Sequence, residues 1–234
     1  MYMRRGNFID IGRGDILHVM AINGSPRREW NTATLLKQAL AGAAVEGART
    51  ELVHLYDLRY RGCVSCFSCK KKGIPHGVCA MRDELSPVLE RMQTADVILF
   101  GSPIYLMNLS SGMSACMERF LYPGTIYSDA VPSVFPKKIG TGFIYTMNMT
   151  EEQVRSYELE QKWEIYHFFT KAVLGIEPKV LYSYDTRQFS DYTQYESSRF
   201  SAADKQHRYE EQFPKDCQAA RKLGEKLAQE AADR

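Results

Sequence analysis

A chain of 234 residues is long enough to bury roughly 70–75% of its unfolded surface, so a substantial core is expected. With 44% hydrophobic and 25% charged residues, it is not a disordered, collagenous or small disulfide-stapled protein. Thirty basic against twenty-eight acidic side chains leave a formal charge of +2, which gives no global field for nucleic acid or anionic lipid.

Residues 1–14 carry charge and glycine without periodicity and read as an N-terminal extension lacking the apolar stretch of a secretory leader. No apolar run approaches the ~18–20 residues of a bilayer span, and a cytoplasmic location is the expectation. Ile16 to Ile22 is a short apolar run of buried-strand type, ending at Asn23, Gly24, Ser25 and Pro26. Leu35, Leu36, Ala39, Leu40 and Ala43 then mark one face of a helix, with Asn31 or Thr32 as its N-cap. Thr50 to Tyr56 reads as a second strand. Asp83 caps a helix whose stripe is Leu85, Val88, Leu89 and Met92. A third strand, Ala95 to Gly101, stops at Ser102 and Pro103. Ser110 or Ser111 caps a helix bearing Met113, Cys116, Met117, Phe120 and Leu121.

Ile139 to Tyr145 is a fourth strand. Thr150 and Gln153 form a capping box that opens one long helix toward Gly175. Lys179 to Tyr184 is a fifth strand. The polar, aromatic-rich stretch 185–203 precedes a last helix starting near Pro214. Five apolar strands alternating with helices predict an α/β fold, a parallel sheet with helices on both faces. The expected organisation is one domain over residues 1–234, with a core of about 15–185 and a C-terminal arm over 186–234.

In an open parallel sheet, ligands bind outside the carboxyl ends of the strands. Asn23 to Arg27, with Asn31 and Thr32, place amides, hydroxyls and one guanidinium beside a helix N-terminus, which suits a phosphate. An ordinary capped turn is the bland alternative. Neither the P-loop pattern nor G-x-G-x-x-G is present, which disfavours a nucleoside triphosphatase or a dinucleotide dehydrogenase. Pro103 cannot continue a central strand, so the chain is expected to turn there, presenting backbone and the Tyr105 ring to a flat conjugated group. Thr146, Met147 and Asn148 end the fourth strand and can face the same group.

These paired motifs, Asn23–Arg27 with Asn31 and Thr32, and Gly101–Tyr105, resemble the flavodoxin-like NADPH-dependent FMN reductase superfamily over about residues 15–185. The cysteine segment adds a resemblance to its iron–sulfur flavoprotein branch. The resemblance implies a five-stranded sheet in the order 2-1-3-4-5, with non-covalent FMN and NAD(P)H as co-substrate. It maps the FMN phosphate onto Ser25, Arg27, Asn31 and Thr32, and the flank of the isoalloxazine onto Pro103, Ile104 and Tyr105. Thr146, Met147 and Asn148 become the facing loop. It implies hydride transfer from nicotinamide to flavin and on to a quinone, nitro or flavin acceptor, in a homodimer or homotetramer. The flavin performs that chemistry, so no catalytic side chain is named.

Cys63, Cys66 and Cys69 follow at two-residue gaps, and Cys79 comes after a gap of nine residues, longer than in the iron–sulfur branch. Four thiolates can hold a [4Fe–4S] cluster, and such a chain would carry single electrons between cluster, FMN and a ferredoxin-like partner. Zinc also takes four thiolates, with His76 as a substitute ligand, and would make the chain a zinc-bearing or redox-sensing interaction module. Free thiols are the third reading. From Leu58 to Arg82 there is no acidic residue but six basic ones, which favours thiolates and could equally attract the extra phosphate of NADPH. Cys116 reads as core and Cys217 as a free thiol. His18 reads as a core or sheet residue. The aromatic run from Tyr182 to Phe213 could cover the flavin, take a flat substrate, reach a second subunit, or simply pack the C-terminal arm. Residues 129–136 look like a loop over the strand ends.

Overall fold

The computed structural model describes residues 16–73, 77–127, 133, 135 and 137–234. The N-terminal extension, His76 and most of the 129–136 loop lie outside the described residues.

Strand β1 (His18–Asn23) is buried along its whole length. It pairs in parallel with β2 (Arg49–His54) on one side and β3 (Val97–Tyr105) on the other. The sheet continues through β5 (Gly140–Thr146) to β6 (Lys179–Ser183), again in parallel. The order β2-β1-β3-β5-β6 is the expected 2-1-3-4-5 arrangement of five main strands. An unanticipated two-residue strand, β4 (Asn108–Leu109), folds back antiparallel on the end of β3.

Successive residues of a strand face opposite sides, and both sides here are covered. Val19, Ala21, Val97, Leu99 and Ile144 pack against α1 (Asn31–Val45) and α7 (Phe213–Ala232). Those two helices touch through backbone: a Cβ on Gly224 would lie 1.8 Å from the Ala39 carbonyl oxygen. Met20, Ile22, Ile98, Phe100, Phe143 and Tyr145 face α2 (Ser86–Thr94), α3 (Ser111–Leu121) and α5 (Leu159–Leu174). His18 is buried on β1 with Glu51 of β2 beside it at 3.5 Å. No helix among the described residues is long and apolar enough to cross a membrane.

Several local expectations need correction. Strand β3 does not stop at Pro103; it runs on to Tyr105, with Pro103 opposite Thr146 of β5. The β1 ladder has ended at Asn23 and Gly101, so beyond that point β3 behaves as an edge, where a missing N–H is tolerated. Asp83 does not cap α2 directly: it forms a turn ahead of it, accepting from the Leu85 N–H at 3.1 Å. Ser110 does cap α3, accepting from the Met113 N–H.

The long helix is two helices, α4 (Glu151–Ser156) and α5, separated by Glu158 in the left-handed region at φ 53°. The Thr150–Gln153 capping box forms as expected. On an unbroken helix Val154 and Leu159 would point about 140° apart; both are fully buried, and the break resets the phase. The arm contains a further helix, α6 (Ala202–Glu211), ahead of α7.

Candidate functional site

The carboxyl ends of β1, β3 and β5 surround an open groove, the place where ligands bind in open parallel sheets. All ten anticipated residues line it: Ser25, Arg27, Asn31 and Thr32, then Pro103, Ile104 and Tyr105, then Thr146, Met147 and Asn148. Trp30, Thr186, Arg187 and Gln188 complete the lining and were not anticipated. The lining therefore carries two guanidiniums and no carboxylate.

The first loop is built by short polar side chains. The Asn23 amide oxygen accepts the Ser25 N–H at 3.0 Å, and the Ser25 hydroxyl accepts the Arg27 N–H at 3.2 Å. Gly24 donates its N–H to the Gly101 carbonyl, and its carbonyl accepts the Ser110 hydroxyl at 2.6 Å. A side chain there would collide with Met113, 2.8 Å from a built Cβ. Asn31 and Thr32 do not cap α1, because they are already inside its first turn. The cap position is Trp30, whose side chain makes no capping bond, and the first turn holds no acidic residue. The opening N–H groups of α1 are thus left for an anion.

Asn31 instead donates to the Arg187 carbonyl at 2.9 Å, as does the Trp30 indole at 3.1 Å. Arg27 donates to the Gln188 carbonyl, and its guanidinium lies 5.2 Å from the Trp30 ring centre. The Thr186 hydroxyl donates to the Met147 carbonyl at 3.1 Å. Three residues from beyond β6 therefore close one side of the groove.

Opposite, β3 and β4 are joined by Leu106 and Met107, both at positive φ (48° and 64°). Two such central residues define the tight hairpin turn whose twist matches its strands, normally at the cost of glycine or asparagine. The tip is held from α5, where the Trp163 indole donates to the Met107 carbonyl at 3.1 Å and Tyr166 to the Asn108 amide oxygen at 2.9 Å. Among the described residues, two buried polar atoms of groove-lining side chains have no protein partner: the Asn148 amide oxygen and Arg187 Nε.

A second, smaller pocket of about 330 Å³ is walled by Cys63, Cys66, Cys69 and Cys79 together with Glu118 and Arg119. No three metal-ligating side chains among the described residues approach closely enough to hold one ion. Chiefly the Ser68 N–H, with its hydroxyl, holds the Cys66 thiol below its ordinary value. Burial pushes the Cys69 thiol up against the opposing pull of Lys70. Cys116 is fully buried in the core, as expected, with its thiol raised to about 12. Arg119, also enclosed, is paired with Asp83.

The aromatic run divides into separate packing units. Tyr182 and Tyr184 stack along β6 and just beyond it, Phe189 stacks on Tyr195, and Tyr209 stacks on Phe213. Tyr192 accepts the Gln188 N–H at 3.0 Å and so supports the segment beside the groove.

A sequence profile described as NADPH-dependent FMN reductase matches residues 17–171. Among curated proteins, an iron-sulfur flavoprotein of Methanocaldococcus jannaschii is 37% identical over 103 residues, 44% of this chain and 51% of that protein. An iron-sulfur flavoprotein of Archaeoglobus fulgidus is 34% identical over 103 residues, 44% and 48% of the two chains. The chain thus spans about half the length of the curated relatives it matches. Among solved structures, an NAD(P)H:quinone oxidoreductase from Methanothermobacter marburgensis superposes with a TM-score of 0.63 at 16% identity, covering 91% of this chain and 98% of that one. An azoreductase from Bacillus anthracis does so with a TM-score of 0.60 at 15% identity, covering 90% and 100%. At those identities the likeness is one of fold.

Proposed function

The chain belongs to the NADPH-dependent FMN reductase family, and we propose that it is an FMN-dependent NAD(P)H oxidoreductase with its flavin in the groove at the strand ends. The observation that carries this reading is the groove itself, where an uncapped helix N-terminus and two guanidiniums meet a Pro-Ile-Tyr wall with no carboxylate among them. FMN, when bound, supplies the hydride-accepting and hydride-donating ring.

The protein's part is placement. The Ser25–Arg27 loop and the first N–H groups of α1 receive the phosphate. Pro103, Ile104 and Tyr105 lie along the ring, and the unpartnered Asn148 amide oxygen accepts from a ring N–H. Thr146 and Met147 complete the facing wall. NADPH or NADH is the reductant, and a quinone, nitro compound or free flavin the acceptor. Assembly as a homodimer or homotetramer belongs to the same reading, supported by the exposed apolar side chains Leu106, Ile165, Phe168 and Phe169.

The test is steady-state oxidation of NADPH and NADH by the FMN-loaded chain with a quinone present. Turnover that depends on added FMN supports the reading. A chain that binds FMN but is reduced by neither nicotinamide overturns it.

One observation favours a second reading, an iron–sulfur flavoprotein passing electrons to a ferredoxin-like partner. All four clustered cysteines wall one pocket, and four thiolates are the donor set that a [4Fe–4S] cluster takes. Reconstitution with iron and sulfide under argon should then load about four irons per chain. Failure to load iron leaves the thiols structural.

A further inference from the structure

We infer that Arg187, from the C-terminal arm, binds the FMN phosphate and clamps it against the N-terminus of α1; the inference rests on the flavin reading above. Arg187 lies outside the stretch matched by the family profile and just after β6. Its guanidinium carbon sits 4.1 Å from the Tyr209 ring centre and 5.4 Å from that of Trp30, and Nη1 donates to the Gln206 amide oxygen at 3.1 Å. Stacking of this kind orients the planar fork before any ligand arrives. Its Nε is buried and has no partner among the described residues, an arrangement that native proteins rarely tolerate without a ligand, water or ion to accept it.

The backbone around Arg187 explains why an extra cation is needed. The Arg187 carbonyl takes the Asn31 side-chain amide, and the Gln188 carbonyl takes the Arg27 guanidinium. Two of the side chains best suited to a phosphate are thereby partly committed to the arm. The arm is also anchored at the groove's far wall, where Lys205 pairs with Asp185 and donates to the Asn148 carbonyl at 3.1 Å. The Arg187 backbone is thereby held beside the first turn of α1, and its side chain lines the same groove. A phosphate monoester is the matching chemistry. It has two sources here, FMN and the 2′-phosphate of NADPH, and the groove that Arg187 lines together with Ser25, Arg27, Asn31 and Thr32 assigns it to FMN.

Equilibrium binding of FMN and of riboflavin, followed by quenching of flavin fluorescence, separates phosphate from ring. Arg187→Gln is expected to weaken FMN roughly 10- to 100-fold and to leave riboflavin binding unchanged, which also shows that the variant is folded. Arg187→Lys should fall between the two. Equal losses for both flavins would make Arg187 structural and overturn the inference, as would no loss for either. A lowered preference for NADPH over NADH with FMN affinity intact would place the contact on the nicotinamide nucleotide and overturn the assignment to FMN. Wild-type protein that binds neither flavin would instead overturn the flavin reading, and this inference with it.

Discussion

The hydroxyl of Thr32, in the first turn of α1, lies 2.7 Å from that of Thr146 at the end of β5, and both residues are buried. One donates and the other accepts, so the bond ties the wall formed by the first loop to the wall facing it. Thr32→Val leaves the Thr146 hydroxyl buried without that partner, and a loss of about 1–3 kcal/mol in unfolding free energy is expected. Replacing both by valine removes the need as well as the bond, so the double variant should lose less than the sum of the singles. Additive losses in a urea-denaturation cycle would show that the two hydroxyls do not depend on each other.

A second relay supports the loop from β2. Asn23 spends its amide oxygen on the Ser25 N–H, so its NH₂ faces His54 Nδ1, 2.9 Å away, and that nitrogen can only accept. Folded His54 is therefore neutral, with its proton on Nε2. Burial, then the charges of Arg28 and Lys37, hold its pKa below 6.5 against the pull of Asp57. A histidine depressed in the folded state contributes fully above about pH 6.5, and that contribution is lost as the pH falls through the lower folded value. FMN affinity is expected to decline over that range. His54→Gln keeps an acceptor that does not titrate and should flatten the profile, while the phosphate's own titration is common to both proteins. Identical profiles would remove His54 from the relay.

At the cysteine pocket, the enclosed Arg119 guanidinium has Asp83 as its counter-charge. Burial raises the Asp83 carboxyl, but hydrogen bonding and charge from Arg119 outweigh it and set the pKa below the ordinary carboxylate value. That stabilisation is present above about pH 4 and lost as the pH falls through the lower folded pKa. Asp83→Asn strands a buried cation and should cost about 3–5 kcal/mol at pH 7. The variant should also lack the part of the parent's acid-side decline that sets in below about pH 4 from this pair. A loss below about 0.5 kcal/mol at pH 7 would mean that Arg119 is satisfied without Asp83.

The thiols should separate by reactivity. Cys66 is exposed and its pKa lowered, whereas burial raises those of Cys69, Cys217 and, to about 12, Cys116. Brief iodoacetamide treatment near pH 8 followed by peptide mass spectrometry should therefore find Cys66 modified ahead of those three. Cys116 should remain unlabelled until the chain unfolds. Labelling of Cys69 as fast as Cys66 would contradict the environments assigned to them.

The first strand end is legible in sequence because Asn23, Ser25, Asn31 and Thr32 cluster short polar side chains where an apolar strand gives way to a helix. Ser25, Asn31 and Thr32 meet in the groove, and Asn23 shapes the loop that carries Ser25. Gln188 is not legible, since it meets Arg27 through a backbone carbonyl that any residue possesses. Arg187 reads in sequence as one more surface charge, and only the stacked rings of Trp30 and Tyr209 distinguish it. Helix α6 buries just Lys205 and so has no apolar stripe to announce it. Pro103 misleads for a different reason: the rule against proline in a central strand lapses where the neighbouring strand has already ended. The cysteines reveal a shared pocket but not its contents, because several groups take four thiolates.

The most direct test of the account is titration of the purified chain with FMN, read by flavin fluorescence and absorbance, in the wild type and in Asn148→Ala. The account expects one FMN per chain and a flavin spectrum altered from that of free FMN. It also expects weaker binding by the variant, in which the amide oxygen assigned to the ring is missing. A wild-type chain that takes up no FMN, or that binds it with an affinity indifferent to Asn148, would contradict the placement of the flavin in this groove.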